Sequence, residues 1–175
     1  MKKWFYFLIA IILYMIVHEY FHGLMSVLFD EYDKFKIHWY GLETIYITPV
    51  EERVSGIKWF LISGFSNFFT LAIGYLTFLL RNKIINHFQE DILIKNLLFS
   101  VTVVFLLFDA VILSIGQIIY GGDISGIAAG LKVKQWIIQI FFGIVLLINR
   151  ELVASLMKSY NVYSHNILFM SWLHK

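Results

Sequence analysis

The chain contains no cysteine, so a disulfide and a thiolate metal ligand are both excluded, and any metal site must use His, Asp or Glu. Charged residues are also scarce, at 15% of the chain compared with about 25% in an average soluble domain. The net charge is only +2, and the longest basic run is Lys2-Lys3. Because nucleic-acid binding requires a basic face, we exclude nucleic acid as a partner.

Proline is nearly absent as well, with Pro49 the single example, whereas apolar residues make up 59% of the sequence. A soluble domain carries about 45–50% apolar residues, and a chain of this length cannot bury the excess in its own core. The 17 Phe, 10 Tyr and 5 Trp suit lipid-facing and headgroup positions. The composition therefore predicts a multi-pass membrane protein, expected in the cell membrane, that forms one domain over residues 1–175.

Four apolar segments are long enough to cross the hydrocarbon layer, which requires about 20 helical residues. We predict transmembrane helices over residues 4–29, 57–80, 92–120 and 135–157. The first segment continues well past the length of a signal peptide and has no small-x-small cleavage site before His18, so we expect it to be retained. Lys and Arg divide almost evenly between the two sides, which leaves the orientation open.

The segment from residue 30 to residue 55 differs from the four spans. Residues 34–48 alternate in polarity and are rich in β-branched and aromatic types, with Gly41 near the centre. This pattern predicts a short β-hairpin that Pro49 closes. The expected fold class is an all-α polytopic membrane protein, with about four transmembrane helices and a membrane-associated β-hairpin between the first two.

The motif that carries chemistry is His18-Glu19-Tyr20-Phe21-His22, on the first predicted helix. Residues four apart share one helix face, so both imidazoles can bind one Zn²⁺. Glu19 lies about 100° further round the helix, where it can reach a zinc-bound water as a general base. Ionisable groups inside an apolar span are costly and indicate function. The alternative is that the motif lies at a helix end near the interface, where polar residues cost little.

A catalytic zinc site needs three protein ligands and an open position. Two aspartates are candidates for the third ligand. Asp123 lies between glycines that let the backbone approach other elements closely, and we favour it. Asp109 lies in the middle of a span, and three roles are open for it: a metal ligand, a hydrogen-bond acceptor for the N–H of a ligand histidine, or a protonated side chain that hydrogen-bonds between helices. The remaining histidines, His38, His87, His165 and His174, are expected to be ordinary surface residues.

With these features in place, the chain resembles the site-2 protease family of intramembrane zinc metalloproteases. The first match is the His18–His22 motif followed by Gly23, and the second is Gly64-Phe65-Ser66-Asn67, similar to the family's Gly-x-x-Asn. The third is Asp123, at the place of the family's Asp-Gly ligand. The chain departs from the family in two ways. The glycine after Asp123 is Gly126, three residues on, rather than the next residue, and proline is missing both near Asp123 and after Gly64.

The resemblance implies an intramembrane zinc-dependent endopeptidase, a hydrolase that cuts membrane-spanning proteins or peptides. In that family's terms His18, His22 and Asp123 would bind Zn²⁺, and Glu19 would activate water. Asn67 would bind the substrate backbone or the developing oxyanion. The hairpin would present the substrate.

Two other functions remain open. One is a catalytically silent homologue that binds a membrane partner, although the intact Glu19 argues against it. The other is a small metal or proton transporter that uses His18, Glu19, His22 and Asp109. Transporters commonly contain internal repeats with broken helices, and the sequence has no repeat.

Overall fold

The computed structural model of the protein describes residues 2–39, 41–115, 122–162 and 170–172. Within these residues the fold is helical apart from one two-stranded sheet. The elements in chain order are α1 (Lys2–Leu28), β1 (Tyr32–His38), β2 (Gly41–Tyr46), a 3₁₀ turn (Val50–Glu52), α2 (Ile57–Leu79), α3 (Arg81–His87), α4 (Ile92–Ser114), α5 (Gly122–Leu131) and α6 (Gln135–Ser159).

The four long helices α1, α2, α4 and α6 are each long and apolar enough to cross a membrane, as the sequence predicts. The prediction for α4 is too long, because this helix ends at Ser114 with Ile115 as its C-cap. The predicted residues 116–120 lie outside the described residues. The polar residues between α2 and α4 form the short helix α3, since neither glycine nor proline interrupts residues 80–91.

Three helices end in the same kind of turn, which determines where the chain goes next. Asp30, Lys132 and Asn161 follow α1, α5 and α6 with φ angles of 57°, 56° and 54°. After α1, the amide of Glu31 donates to the carbonyl of Ser26 at 2.7 Å, as in a Schellman motif. This turn reverses the chain at the end of α1, and the hairpin therefore runs back along the helix.

The predicted hairpin is confirmed, with β1 and β2 antiparallel and His38 opposite Gly41. The hairpin lies against α1. A Cβ placed on Gly23 would be 2.5 Å from Cζ of Phe35, and one placed on Gly41 would be 3.0 Å from Sδ of Met15. Since Met15 precedes the end of α1 by 13 residues, the tip of the hairpin lies about 20 Å from that end along the helix axis.

An ion pair joins the base of the hairpin to α2. The buried Glu31 carboxylate lies 2.5 Å from Nζ of Lys58 and accepts hydrogen bonds from the amide and hydroxyl of Thr48, at 3.0 and 2.9 Å. Burial alone would raise the pKa of Glu31, but the bonds from Lys58 and Thr48 outweigh it and lower the pKa. The Arg53 guanidinium lies 4.4 Å from the ring of Trp59, a second link to α2.

The core centres on α4, which packs against α1, α2 and α6 through Phe105, Leu106 and Val103. By contrast, large apolar side chains such as Trp4, Leu8, Ile140 and Phe141 remain exposed on α1 and α6. A soluble protein rarely exposes so much apolar surface, whereas lipid covers it without cost.

The short helix α5 approaches α2 through its glycines. A Cβ on Gly130 would lie 2.4 Å from the backbone nitrogen of Phe60, and one on Gly126 would overlap Oγ of Ser63. Such close approach is the usual role of small residues spaced four apart between apolar helices. This contact sets the position of Asp123, which lies in the first turn of α5.

Candidate metal centre

His18 and His22 lie one turn apart on the inner face of α1, as their spacing predicts. Their Nε2 atoms are 3.1 Å apart, and their side chains keep only 11% and 3% of their surface exposed. Both rings are buried between helices rather than exposed at the end of α1. The pair therefore offers two nitrogens to one point in the interior.

Asp123 reaches the same point from α5. Its Oδ2 lies 3.2 Å from Nε2 of His18, and its Oδ1 lies 3.1 Å from Nε2 of His22. The two Nε2 atoms and the Asp123 carboxylate thus form a triangle of ligand groups with contacts of 3.1–3.2 Å, in which a different carboxylate oxygen faces each histidine. Two ligand atoms each about 2.0–2.1 Å from a tetrahedral Zn²⁺ are about 3.3 Å apart, so the triangle fits that ion closely.

The outer nitrogens of the two rings show which atoms carry free lone pairs. Nδ1 of His22 lies 2.8 Å from the carbonyl oxygen of Ile62, which can only accept, so Nδ1 carries the proton. Nδ1 of His18 likewise faces Oδ1 of Asp109, at 3.4 Å. In the neutral rings both Nε2 lone pairs therefore point at each other and at a carboxylate. Acceptors that converge in this way can hold a cation among them, and two imidazole nitrogens with a carboxylate are a ligand set that suits zinc.

Asp109 is fully buried and lies next to Nδ1 of His18, on the side of the ring that faces away from Asp123 and His22. It accepts hydrogen bonds from the hydroxyls of Tyr14 and Thr70, at 2.6 and 2.5 Å. The Tyr14 oxygen also lies 3.3 Å from Nδ1 of His18. Of the roles that the sequence left open, this geometry fits an acceptor that fixes the ring of His18.

Glu19 lies beside the triangle, and one of its ligand atoms is within 4.8 Å of a ligand nitrogen of each histidine. Its carboxylate turns towards the hairpin rather than into the triangle. Oε2 accepts two hydrogen bonds from Thr44, from the backbone amide and from the hydroxyl, both at 2.8 Å. The arrangement leaves Glu19 close to the centre without making it one of the three nearest ligands.

Asn67 contacts Asp123 from α2. Its Nδ2 donates to the carbonyl of Ser63 at 2.8 Å and to Oδ2 of Asp123 at 3.2 Å, which uses both amide hydrogens. Its Oδ1 is buried and has no partner in the part of the chain that the structure describes. In this conformation Asn67 contacts Asp123 through its amide hydrogens, and the group it leaves unbonded is an acceptor, whereas the expected contact with an oxyanion needs a donor.

Ser66 is a further polar neighbour on α2, with its hydroxyl 2.9 Å from Nε2 of His22. Since that nitrogen carries a lone pair, the hydroxyl donates to it. A metal ion at the triangle would use the same lone pair. Metal binding therefore requires the Ser66 hydroxyl to rotate away.

The structure brings together all five residues singled out from the sequence, namely His18, Glu19, His22, Asn67 and Asp123. It adds Tyr14, Thr44, Ser66 and Thr70, which sequence reasoning missed. Hydroxyl residues are common in membrane helices and carry no spacing pattern of their own. The one available signal was that Tyr14 precedes His18 by four residues, on the same helix face.

The remaining histidines lie away from this centre. His38 was expected to be an exposed strand residue, but it is partly buried and pairs with Glu43 at 2.6 Å. His87 is exposed near the end of α3. His165 and His174 lie outside the described residues.

Comparison with known proteins identifies no relative. No family model matches the chain, and neither a curated protein nor a solved structure matches it.

Proposed function

We propose that this protein is a multi-pass membrane zinc endopeptidase, similar in chemistry to the site-2 proteases, that hydrolyses peptide bonds of membrane-spanning substrates in a cell membrane. The observation that carries the proposal is the triangle formed by His18, His22 and Asp123, with Glu19 beside it. Two histidines and a carboxylate that converge, with a second carboxylate beside them, are the groups that a catalytic zinc site with a general base needs.

His18, His22 and Asp123 would hold the ion, and the open fourth position would face the substrate. When bound, zinc makes a water molecule acidic and polarises the carbonyl of the peptide bond. Glu19 takes the proton from the attacking water and passes it to the departing amine, so that the peptide C–N bond breaks and a carboxylate forms. His18 and His22 are kept in the required tautomer by Asp109 and the Ile62 carbonyl.

The substrate must also lose its helical hydrogen bonds before its backbone can reach the centre, because a helix shields every peptide bond. The hairpin is in a position to receive the unwound segment. Its tip reaches about 20 Å back along α1, which would place it within the hydrocarbon layer. The amide of Thr44 points away from β1 towards Glu19, so the outer edge of β2 faces the centre. Strand addition at outward-directed groups of β2 other than the Thr44 amide, which already donates to Glu19, would place the scissile bond near Glu19.

The Glu19→Gln variant tests the proposal. Gln keeps the size and a hydrogen-bond acceptor but cannot take a proton, so the variant should retain zinc and cleave a transmembrane-helix peptide at least about 1,000-fold more slowly. Glu51→Gln, the same change at an exposed position outside the centre, should cleave as the wild type does. A Glu19→Gln protein that still cleaves at the wild-type rate would overturn the proposal.

A further inference from the structure

Thr44 makes three contacts with Glu19 and is itself buried, with 4% of its surface exposed. Its amide and hydroxyl both donate to Oε2 of Glu19 at 2.8 Å, and its hydroxyl also lies 3.2 Å from the Glu19 backbone carbonyl. Two charge-assisted hydrogen bonds on one oxygen fix the direction of a carboxylate far better than solvent does.

The backbone explains why the contact comes from this residue. Thr44 is opposite Phe35 in the hairpin, and its amide points away from β1. In an antiparallel ladder, every second residue of a strand directs its amide and carbonyl outward. On β2, Thr44 is the outward-directed residue that faces Glu19, and its side chain points to the same carboxylate.

The packing of the hairpin fixes this contact at both ends. Phe35, the partner of Thr44, sits over Gly23, where any side chain would collide with its ring. Gly41 contacts Met15 on the other side. The hairpin is therefore held in register with α1 on both sides of Glu19, one turn above and one turn below it.

From this geometry we infer that Thr44 is a positioning residue for Glu19: it couples the hairpin to the general base, so that the strand that receives substrate also orients the group that activates water. The inference rests on the proposed function for the role of Glu19. The contact itself is independent of that role.

A double-mutant cycle tests the contact without any measurement of activity. The midpoint of thermal unfolding is measured in chelator-treated protein for Thr44→Val, Glu19→Ala and the double variant. Val keeps the shape of Thr but lacks the hydroxyl. Thr44→Val should therefore lower the unfolding midpoint less in the Glu19→Ala background than in the wild type. Additive shifts would show that the two side chains do not interact and would overturn the inference.

Zinc-loaded protein tests the consequence for catalysis, with a transmembrane-helix peptide that carries a fluorophore and a quencher at opposite ends. Thr44→Val should keep one zinc per chain and an unchanged KM, while kcat falls about tenfold, because the hydroxyl bond to a charged group is lost and the amide bond remains. Thr44→Ser should restore kcat, since it returns the hydroxyl. Thr48→Val removes the hydroxyl that donates to the Glu31 carboxylate at the base of the hairpin, and this matched change should leave kcat unaltered.

The outcomes separate the two proposals. If the wild type binds zinc and cleaves but Thr44→Val has the same kcat, or if Thr44→Ser is as slow as Thr44→Val, Thr44 does not position the base. If the wild type neither binds zinc nor cleaves while the double-mutant cycle shows coupling, the proposed function fails and the contact stands.

Discussion

Asp109 and Asp123 lie on opposite sides of one imidazole ring. Oδ1 of Asp109 is 3.4 Å from Nδ1 of His18, and Oδ2 of Asp123 is 3.2 Å from Nε2 of the same residue. The two carboxylates therefore have different tasks. Asp123 points into the triangle of ligand atoms, whereas Asp109 stands behind the ring, where its oxygens already accept from Tyr14 and Thr70.

The two aspartates should respond differently to substitution. Asp123→Ala removes one of the three proposed ligands and should abolish stoichiometric zinc binding. Asp109→Asn should only weaken zinc affinity, by about 10- to 100-fold, because the acceptor behind the ligand ring is altered. Competition with a chelator of known zinc affinity measures both. If Asp109→Asn released zinc completely and Asp123→Ala retained it, the assignment of the two residues would be reversed.

The close contact between α5 and α2 gives a prediction about Gly130. A methyl group there would meet the Phe60 backbone at 2.4 Å, so Gly130→Ala must push the two helices apart and move Asp123. We expect a loss of about 1–3 kcal/mol in stability together with weaker zinc binding. Gly143→Ala is the matched control on α6, since nothing lies within 4 Å of the added carbon. Equal unfolding midpoints for the two variants would contradict the packing described here.

The Glu31–Lys58 pair predicts a pH dependence of stability. The pKa of Glu31 is lowered in the folded protein, so its carboxylate stabilises the fold above its ordinary pKa, and this contribution disappears as the pH falls through the lowered value. Glu31→Gln should cost about 1 kcal/mol at neutral pH, a modest figure because Lys58 is 39% exposed.

Thermal unfolding of wild type and Glu31→Gln across a series of pH values checks this expectation. The difference between them should shrink in acid, whereas the exposed Glu52→Gln should track the wild type throughout. A difference that grows as the pH is lowered would mean that Glu31 is not the stabilised carboxylate.

The sequence was sufficient to predict the four long helices and the hairpin, because each depends on a local pattern. Apolar length alone identifies α1, α2, α4 and α6, and alternation of β-branched and aromatic residues identifies the strands. The end of α4 was misplaced by several residues, since apolar residues continue to Tyr120 and hydrophobicity does not mark where a helix stops.

The candidate centre was predictable to a similar extent. His18, Glu19 and His22 follow from spacing on one helix, and Asp123 stood out by its flanking glycines. Their convergence depends on how α5 packs on α2, which Gly126 and Gly130 allow, and the spacing of these two glycines is a signal that the sequence contains. The contact between Thr44 and Glu19 could not be predicted from the sequence, because it depends on the register of the hairpin against α1, a relationship between distant segments.

The most direct test of the central claim is the zinc content of the purified wild-type protein, measured by mass spectrometry of the metal. The geometry of His18, His22 and Asp123 predicts about one zinc ion per chain, lost in His22→Ala and retained in Glu19→Gln. A folded wild-type protein that holds no zinc after incubation with excess metal would contradict the account.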